Sequence, residues 1–342
     1  MKNIYLLFFL GCVSCQNKVV KKDIVEIDFK TEMTLSFGSC NNQNIENKLF
    51  KEILKNKPQA FIWGGDIIYS DTENPDVLAA NFKKFKQDSL YKYFASKTTI
   101  LGTWDDHDYG INDGGIENPI KEEAKHILLD FFDVPKEDTR RNREGVYYAK
   151  TIKKDTNSVK IILLDTRYFR TELTKDPTGE KRYIPNKSNE GTMLGKTQWQ
   201  WLEQELETST ASFNILMSSI QFLSTKHGFE SWGNMPHEVE KLKEIVLKTK
   251  AKNVIILSGD RHISEISKAQ IGSLKYPLID FTSSGLTHAY TSFKGEENPF
   301  RVTNVIKETS FGLLKFDFKN NCVLFEMRGK ENSLLGYYIQ QY

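Results

Sequence analysis

Apolar and polar residues change period in a regular order along this chain. Thr34-Leu35-Ser36-Phe37 alternates with period two and breaks at Gly38, which predicts a strand running into a loop. Leu49, Phe50, Ile53 and Leu54 then recur at helical spacing within 44–56, and Ala60-Phe61-Ile62-Trp63 is a short apolar run ending at Gly64-Gly65-Asp66. A second helical stretch, 76–96, carries Val77, Leu78, Phe82, Phe85, Leu90 and Phe94, and a third strand, 98–103, follows. The alternation continues with a helix at 124–132, strands at 145–150 and 159–164, and a helix at 196–207. A strand at 214–217, a helix at 237–248 and a strand at 253–257 complete it. Beyond them the periods predict only strands, at 278–282, 312–318, 322–328 and 335–340. Short apolar strands alternating with helices predict an α/β core, and the strand-rich C-terminal part predicts an antiparallel finish. No repeat, low-complexity tract or linker interrupts the pattern after residue 30, so 31–342 reads as one domain.

The first thirty residues follow a different pattern. Lys2 precedes an apolar run from Ile4 to Leu10, then Gly11-Cys12-Val13-Ser14-Cys15. A run that short does not span a bilayer; it reads as an export signal, 1–15. The small residue before Cys15, and Gln16-Asn17-Lys18 after it, resemble a bacterial lipobox with Cys15 as the lipidated residue and Cys12 as the alternative. A plain secretory signal is the other reading. Residues 16–30 are a charged tether. The expectation is an exported protein, a periplasmic or cell-surface lipoprotein held to the membrane by its N-terminal lipid alone. Composition adds little to this: 39% hydrophobic and 27% charged residues are ordinary for a soluble globular chain. A formal charge of +2 without a Lys/Arg block argues against nucleic-acid-specific binding.

Chemistry concentrates where the strands stop. Trp104-Asp105-Asp106-His107-Asp108 follows the third strand, and three other ends, Gly38-Ser39-Cys40, Gly64-Gly65-Asp66 and Ser258-Gly259-Asp260-Arg261-His262, are built alike. In α/β folds, loops from the carboxyl ends of strands converge on one space. Any one of these ends alone is more simply a turn or a helix cap. Brought together, however, their carboxylates would repel unless a cation sat between them. The set therefore predicts a metal site, with Asp66 as the candidate bridge between two ions. Cys40 either ligates metal or pairs with Cys322 in a disulfide, and Cys322 reads as a packed thiol.

As a set, Ser36-Phe37-Gly38-Ser39-Cys40, Gly65-Asp66-Ile67-Ile68-Tyr69, Trp104-Asp105-Asp106-His107-Asp108 with Asn112-Asp113, Leu164-Asp165-Thr166-Arg167 and Ser258-Gly259-Asp260-Arg261-His262 resemble the alkaline phosphatase D (PhoD-like) family of calcineurin-like metallophosphoesterases. The likeness runs in order from about Leu35 to Thr287 and includes Leu194-Gly195-Lys196-Thr197-Gln198-Trp199. Two features depart from the family pattern. There is no room for the extra N-terminal β-domain of many members, and the usual Asp-Asp-His-Glu ends here in Asp108. The resemblance implies a four-layer αββα sandwich with a dinuclear or trinuclear metal centre at the sheet edge. It implies that Cys40 and Tyr69 ligate Fe(III), that Asp66 bridges to Ca(II), and that Asp106 and Asn112 complete the second ion's shell, with Asp260 and His262 closing the site. Zn or Mn are alternative occupants. Thiolate and phenolate suit a trivalent ion, and carboxylate and amide oxygens suit calcium.

The reaction expected of such a site is attack of a metal-bound hydroxide on phosphorus in a small-molecule or polymeric phosphate ester. His107 is the candidate to protonate the leaving oxygen or orient the phosphate. Arg143 is a candidate fork for the non-bridging oxygens, and Arg167 is either a second fork or a salt-bridge partner. Trp104, Phe222 and Trp232 are candidate walls of an ester pocket, or core. These aromatics tilt the expectation toward a diester over a monoester. Two rivals stand beside this reading: a non-catalytic surface protein binding phosphorylated glycans on the same fold, and a hydrolase of another ester type.

Overall fold

Each apolar run becomes a strand buried on both faces, which is why it reads as continuous rather than alternating. The computed structural model describes residues 29–342. The chain opens with β1 (Met33–Gly38), α1 (Leu49–Lys55), β2 (Ala60–Gly64), α2 (Pro75–Gln87), α3 (Ser89–Ala95) and β3 (Thr99–Thr103). A single turn, α4 (Asp106–Tyr109), and α5 (Lys121–Phe131) lead to β4 (Tyr148–Lys154) and β5 (Asn157–Leu163). The short hairpin β6 (Thr174–Lys175) and β7 (Tyr183–Ile184) precedes α6 (Gly195–Glu207), β8 (Phe213–Met217), α7 (Pro236–Thr249) and β9 (Val254–Ser258). The end of the chain is β10 (Ser264–Ala269), β11 (Leu278–Ser283), β12 (Phe311–Asp317), β13 (Cys322–Arg328) and β14 (Leu334–Gln341).

Two six-stranded sheets result, ordered β14-β13-β12-β1-β2-β3 and β10-β11-β9-β8-β5-β4. β1, β2 and β3 run parallel, and so do β5, β8, β9 and β11. The expected antiparallel finish is the β12-β13-β14 meander, added to the edge of β1. Side chains alternate between layers as the pleat requires. Leu35, Phe37, Ile62, Ile215, Met217, Leu257, Phe281 and Phe325 meet between the sheets. Phe61 and Trp63 point the other way, under α1, α2, α3 and α5. Ile162, Leu216 and Ile256 lie under α6 and α7. The layer order is therefore helix, sheet, sheet, helix, as expected.

Besides the short α4, β6 and β7, which the sequence periods do not predict, two departures are instructive. The helix predicted over 76–96 is two helices, because Asp88 adopts an extended conformation and its carboxylate accepts from the N–H groups of Leu90 and Tyr91 to start α3. β10 goes unpredicted, since Ser264, Glu265 and Ser267 place polar residues in a buried strand. Cys40 and Cys322 are both buried free thiols, so the disulfide alternative is not realised. Cys15, Cys12 and the tether as far as residue 28 lie outside the described residues.

Candidate metal centre

The loops leaving β1, β2, β3 and β9 are bent sharply enough to turn their side chains toward one another. Cys40, Asp66, Asp260 and His262 all hold left-handed φ values, of 57°, 48°, 63° and 54°. Non-glycine residues adopt that region at a cost, and such strain collects at functional sites. Gly65 makes the closest approach possible: its φ is 89°, and a Cβ there would fall 2.3 Å from Cβ of Asp105.

The β2 and β3 ends are sewn together by Asp108. Its carboxylate accepts from the N–H of Ile67 (2.9 Å) and of Asp105 (2.7 Å). Behind them Asp165 accepts from Trp104 Nε1 (2.8 Å), and Gln198 clasps the main chain of Asp165 through both its N–H and its carbonyl. These two motif residues are scaffolding for the Trp104–Asp108 segment.

Within this frame the predicted ligands converge. Cys40 Sγ lies 3.2 Å from Asp66 Oδ2, Tyr69 Oη lies 3.2 Å from the same oxygen, and Tyr69 Oη is 3.3 Å from His262 Nε2. Four groups of ligand-type atoms, each within 4.8 Å of one another, overlap in a chain: Cys40/Asp66/His262, Asp66/Asp106/His107, Asp105/Asp106/Asp260 and Asp106/Asp113/Glu230. Asp66 and Asp106 are the links between neighbouring groups. Asp66 Oδ1 and Asp105 Oδ2 are buried with no hydrogen-bond partner. A buried carboxylate oxygen left unpaired is costly, and a cation is the partner such oxygens fit.

The electrostatics agree with that fit. Burial, then the charges of Cys40 and Asp106, push the Asp66 carboxyl well above the usual carboxylate range. Burial likewise raises the Cys40 thiol to about 11 and Asp260 to about 7. Asp106 goes the other way, to about 2: burial opposes its charge, but Arg167, His107 and the N–H groups of Asp113 and His107 outweigh it. His107 is raised to about 10 against its own burial by a 2.6 Å contact between Nδ1 and Asp71, with Asp106 and Asp66 nearby. The bare site thus holds more acidic groups than it can ionise at once, a condition that bound cations relieve.

The remaining sequence candidates sit elsewhere. Arg167 is completely buried and forms ion pairs with Asp105 and with Glu230 (2.6 Å), while Arg170 pairs with Glu230 at 3.0 Å. Its salt-bridge role is the one seen. The Arg143 guanidinium stacks 3.6 Å from the Tyr147 ring centroid and bonds to the main chain of Glu144 and Tyr147, away from the ligand groups. Asn112 is exposed; its neighbour Asp113 is the side chain that enters the cluster, held by Tyr183 Oη (2.8 Å) and Arg182 (2.5 Å). Trp104, Phe222 and Trp232 are fully buried in the helix-covered layers.

Sequence reasoning missed four contributors. Glu230 was hidden beside Trp232, and Asp113, quoted in the motif, was given no role beside Asn112. Asp71 lies five residues past Asp66 in a polar loop. His288 packs its ring 4.6 Å from His262 and 5.0 Å from Tyr69, on a loop that Ser39 and Cys40 hold by their carbonyls. The small residues Ser283-Ser284-Gly285 were the available signal for that loop: Ser284 Oγ meets Cys40 Sγ at 2.9 Å and accepts from the N–H of His262 at 2.7 Å.

Fold and site together define a four-layer αββα sandwich with its ligand-rich edge at the strand ends. Residues 154–312 match the PhoD-like phosphatase family. Alkaline phosphatase D of Bacillus subtilis (strain 168) is 25% identical over 294 residues, covering 70% of this chain and 47% of that protein. The chain thus spans about half the length of that relative. The chain is thus similar to the PhoD-like phosphatases over the matched part of its length. Its fold matches a solved PhoD structure with a TM-score of 0.70, at 19% identity over 91% of this chain and 69% of that one. It also matches a dimetal phosphatase from Danio rerio with a TM-score of 0.54, at 12% identity over 92% and 100% of the two chains.

Proposed function

We propose that this protein is an exported, metal-dependent phosphoesterase. The observation that carries the reading is Asp66: a buried carboxylate with one oxygen unpaired, standing between a thiol–phenol–imidazole group and a carboxylate group. Cys40, Tyr69 and His262 would hold one ion and Asp106 and Asp260 another, with Asp66 bridging. Anionic sulfur and phenolate donors favour Fe(III) on the first side, and oxygen donors favour Ca(II) on the second, with Zn or Mn as the alternatives. Bound there, the cations supply Lewis acidity, drawing charge from phosphoryl oxygens and making water acidic near neutral pH.

His107 is the proposed general acid. Asp71 takes its Nδ1, which leaves Nε2 to face substrate as a proton donor to the departing oxygen. Arg143, Arg167 and Arg170 are engaged within the protein. A monoester dianion wants several free cations beyond the metals, so this engagement supports a diester substrate. The N-terminal segment supports export and lipidation at Cys15. Among the described residues no helix is long and apolar enough to cross a membrane.

The test is hydrolysis of bis(p-nitrophenyl) phosphate and p-nitrophenyl phosphate by wild type and Asp66→Asn. Diester turnover above monoester turnover, with both lost in the variant, is expected. Full hydrolysis by the variant contradicts the site; hydrolysis of carboxylate or sulfate esters alone favours another ester class.

A further inference from the structure

The end of the sandwich opposite the metal centre is where β8, β9 and β11 begin. The connectors entering them line a cavity of about 920 Å³, whose walls include Leu247, Ala251, Leu274, Tyr276, Phe318 and Tyr342. Lys250, Lys252 and Lys275 are exposed on its lining, and no Asp or Glu side chain joins them. Nearby Lys160 and Lys248 are paired with Glu205 and Glu203, whereas these three form no ion pair among the described residues. The Tyr342 hydroxyl is buried without a hydrogen-bond partner, although its ring packs on Phe213 and Tyr276.

The polypeptide enters the fold at this same end. The N–H of Lys30 donates to Asp317, and the Glu32 carboxylate accepts from the N–H groups of Phe318 and Lys319. Phe318 is itself a wall of the cavity. Cys15 lies fifteen positions before Lys30, a reach of at most about 54 Å at full extension.

We propose that this end faces a membrane, with the cavity and its lysines seated on the phosphate headgroups of an anionic phospholipid leaflet. Three ammonium groups complement the headgroup charge, the apolar walls accept the glycerol backbone, and the Tyr342 hydroxyl supplies an unmet hydrogen-bonding group. The metal centre, at the opposite strand ends, then faces away from the bilayer. The orientation rests on the proposed anchor at Cys15; the lipid-binding surface does not.

Full-length Cys15→Ser protein isolates the surface from the anchor. It should co-sediment with vesicles of phosphatidylglycerol and phosphatidylcholine, and not with phosphatidylcholine alone. Each lysine near an anionic surface strengthens binding about fivefold, so Lys250→Gln/Lys252→Gln/Lys275→Gln in that background should bind at least ~10-fold more weakly. Its hydrolysis of a chromogenic diester should be unchanged. Equal binding by the triple variant and its parent overturns the proposal; it is also the result expected if residues 16–28 fill the cavity. Equal binding to both vesicle compositions overturns it as well. Intact-mass measurement of the membrane-extracted wild type tests the anchor separately: an unacylated chain that still binds phosphatidylglycerol through the lysines refutes only the anchor.

Discussion

Cys40 shows how far a single residue can be read. An isolated thiol at a strand end was consistent with a disulfide or a ligand; its 3.2 Å approach to Asp66 in a free state favours the ligand. As proposed ligands of Fe(III), Cys40 and Tyr69 should give the purified protein a visible charge-transfer absorption. Cys40→Ser and Tyr69→Phe should each shift or bleach that band. An unchanged spectrum in both variants would remove the two residues from the metal. Asp71 acts one bond further out, through the 2.6 Å contact that orients His107. Asp71→Asn should lower kcat about 10- to 100-fold with KM little changed, as loss of an orienting partner does. The loss should be greatest for esters with poor leaving groups, and a uniform loss across leaving groups would argue against acid catalysis by His107. Asp71 and Glu230 were not legible in the sequence because nothing local marks them. Their partners, His107 and Arg167, lie far along the chain, and only the fold brings them together.

At the scale of elements, the central strands β2, β8 and β9 were legible because both faces of each are buried, and the strand ends because glycine and acidic residues recur there. The breaks were harder to see. Asp88 splits one apolar helical stripe into α2 and α3, and its apolar neighbours keep helical spacing across the break. Asp88→Ala should cost about 1 kcal/mol, the usual loss for removing an N-cap, read as a lower urea midpoint. The β2 end is less forgiving. At Gly65 an added methyl would meet both the backbone and Cβ of Asp105 in a left-handed conformation. Gly65→Ala should therefore destabilise by about 3 kcal/mol and abolish hydrolysis even where the protein remains folded. A variant of wild-type activity would mean that the two loops need not touch.

For the whole molecule, a buried charge network ties the two sheets together beneath the site. Arg167 joins Asp105, from the end of β3 in one sheet, to Glu230, beyond β8 in the other, and Ser219 Oγ adds a 2.7 Å bond to Asp105. Arg167→Met should cost about 3–5 kcal/mol because it leaves buried Asp105 without its cation and Glu230 with Arg170 alone. The α/β core was legible from the alternation of periods and the layer order from the family resemblance; the network was not, because charged residues in a sequence read as surface until packing encloses them. The same enclosure drives the central claim. Asp66, Asp106, Asp260 and their neighbours are gathered at a density that bound cations would neutralise. The most direct measurement is the metal content of purified wild type and Asp66→Asn by elemental mass spectrometry, alongside diester hydrolysis before and after chelation. The account predicts at least about two ions per wild-type chain, their loss in a variant that keeps its circular-dichroism spectrum, and hydrolysis that disappears on chelation and returns with metal. Full hydrolysis by metal-free wild type would contradict it.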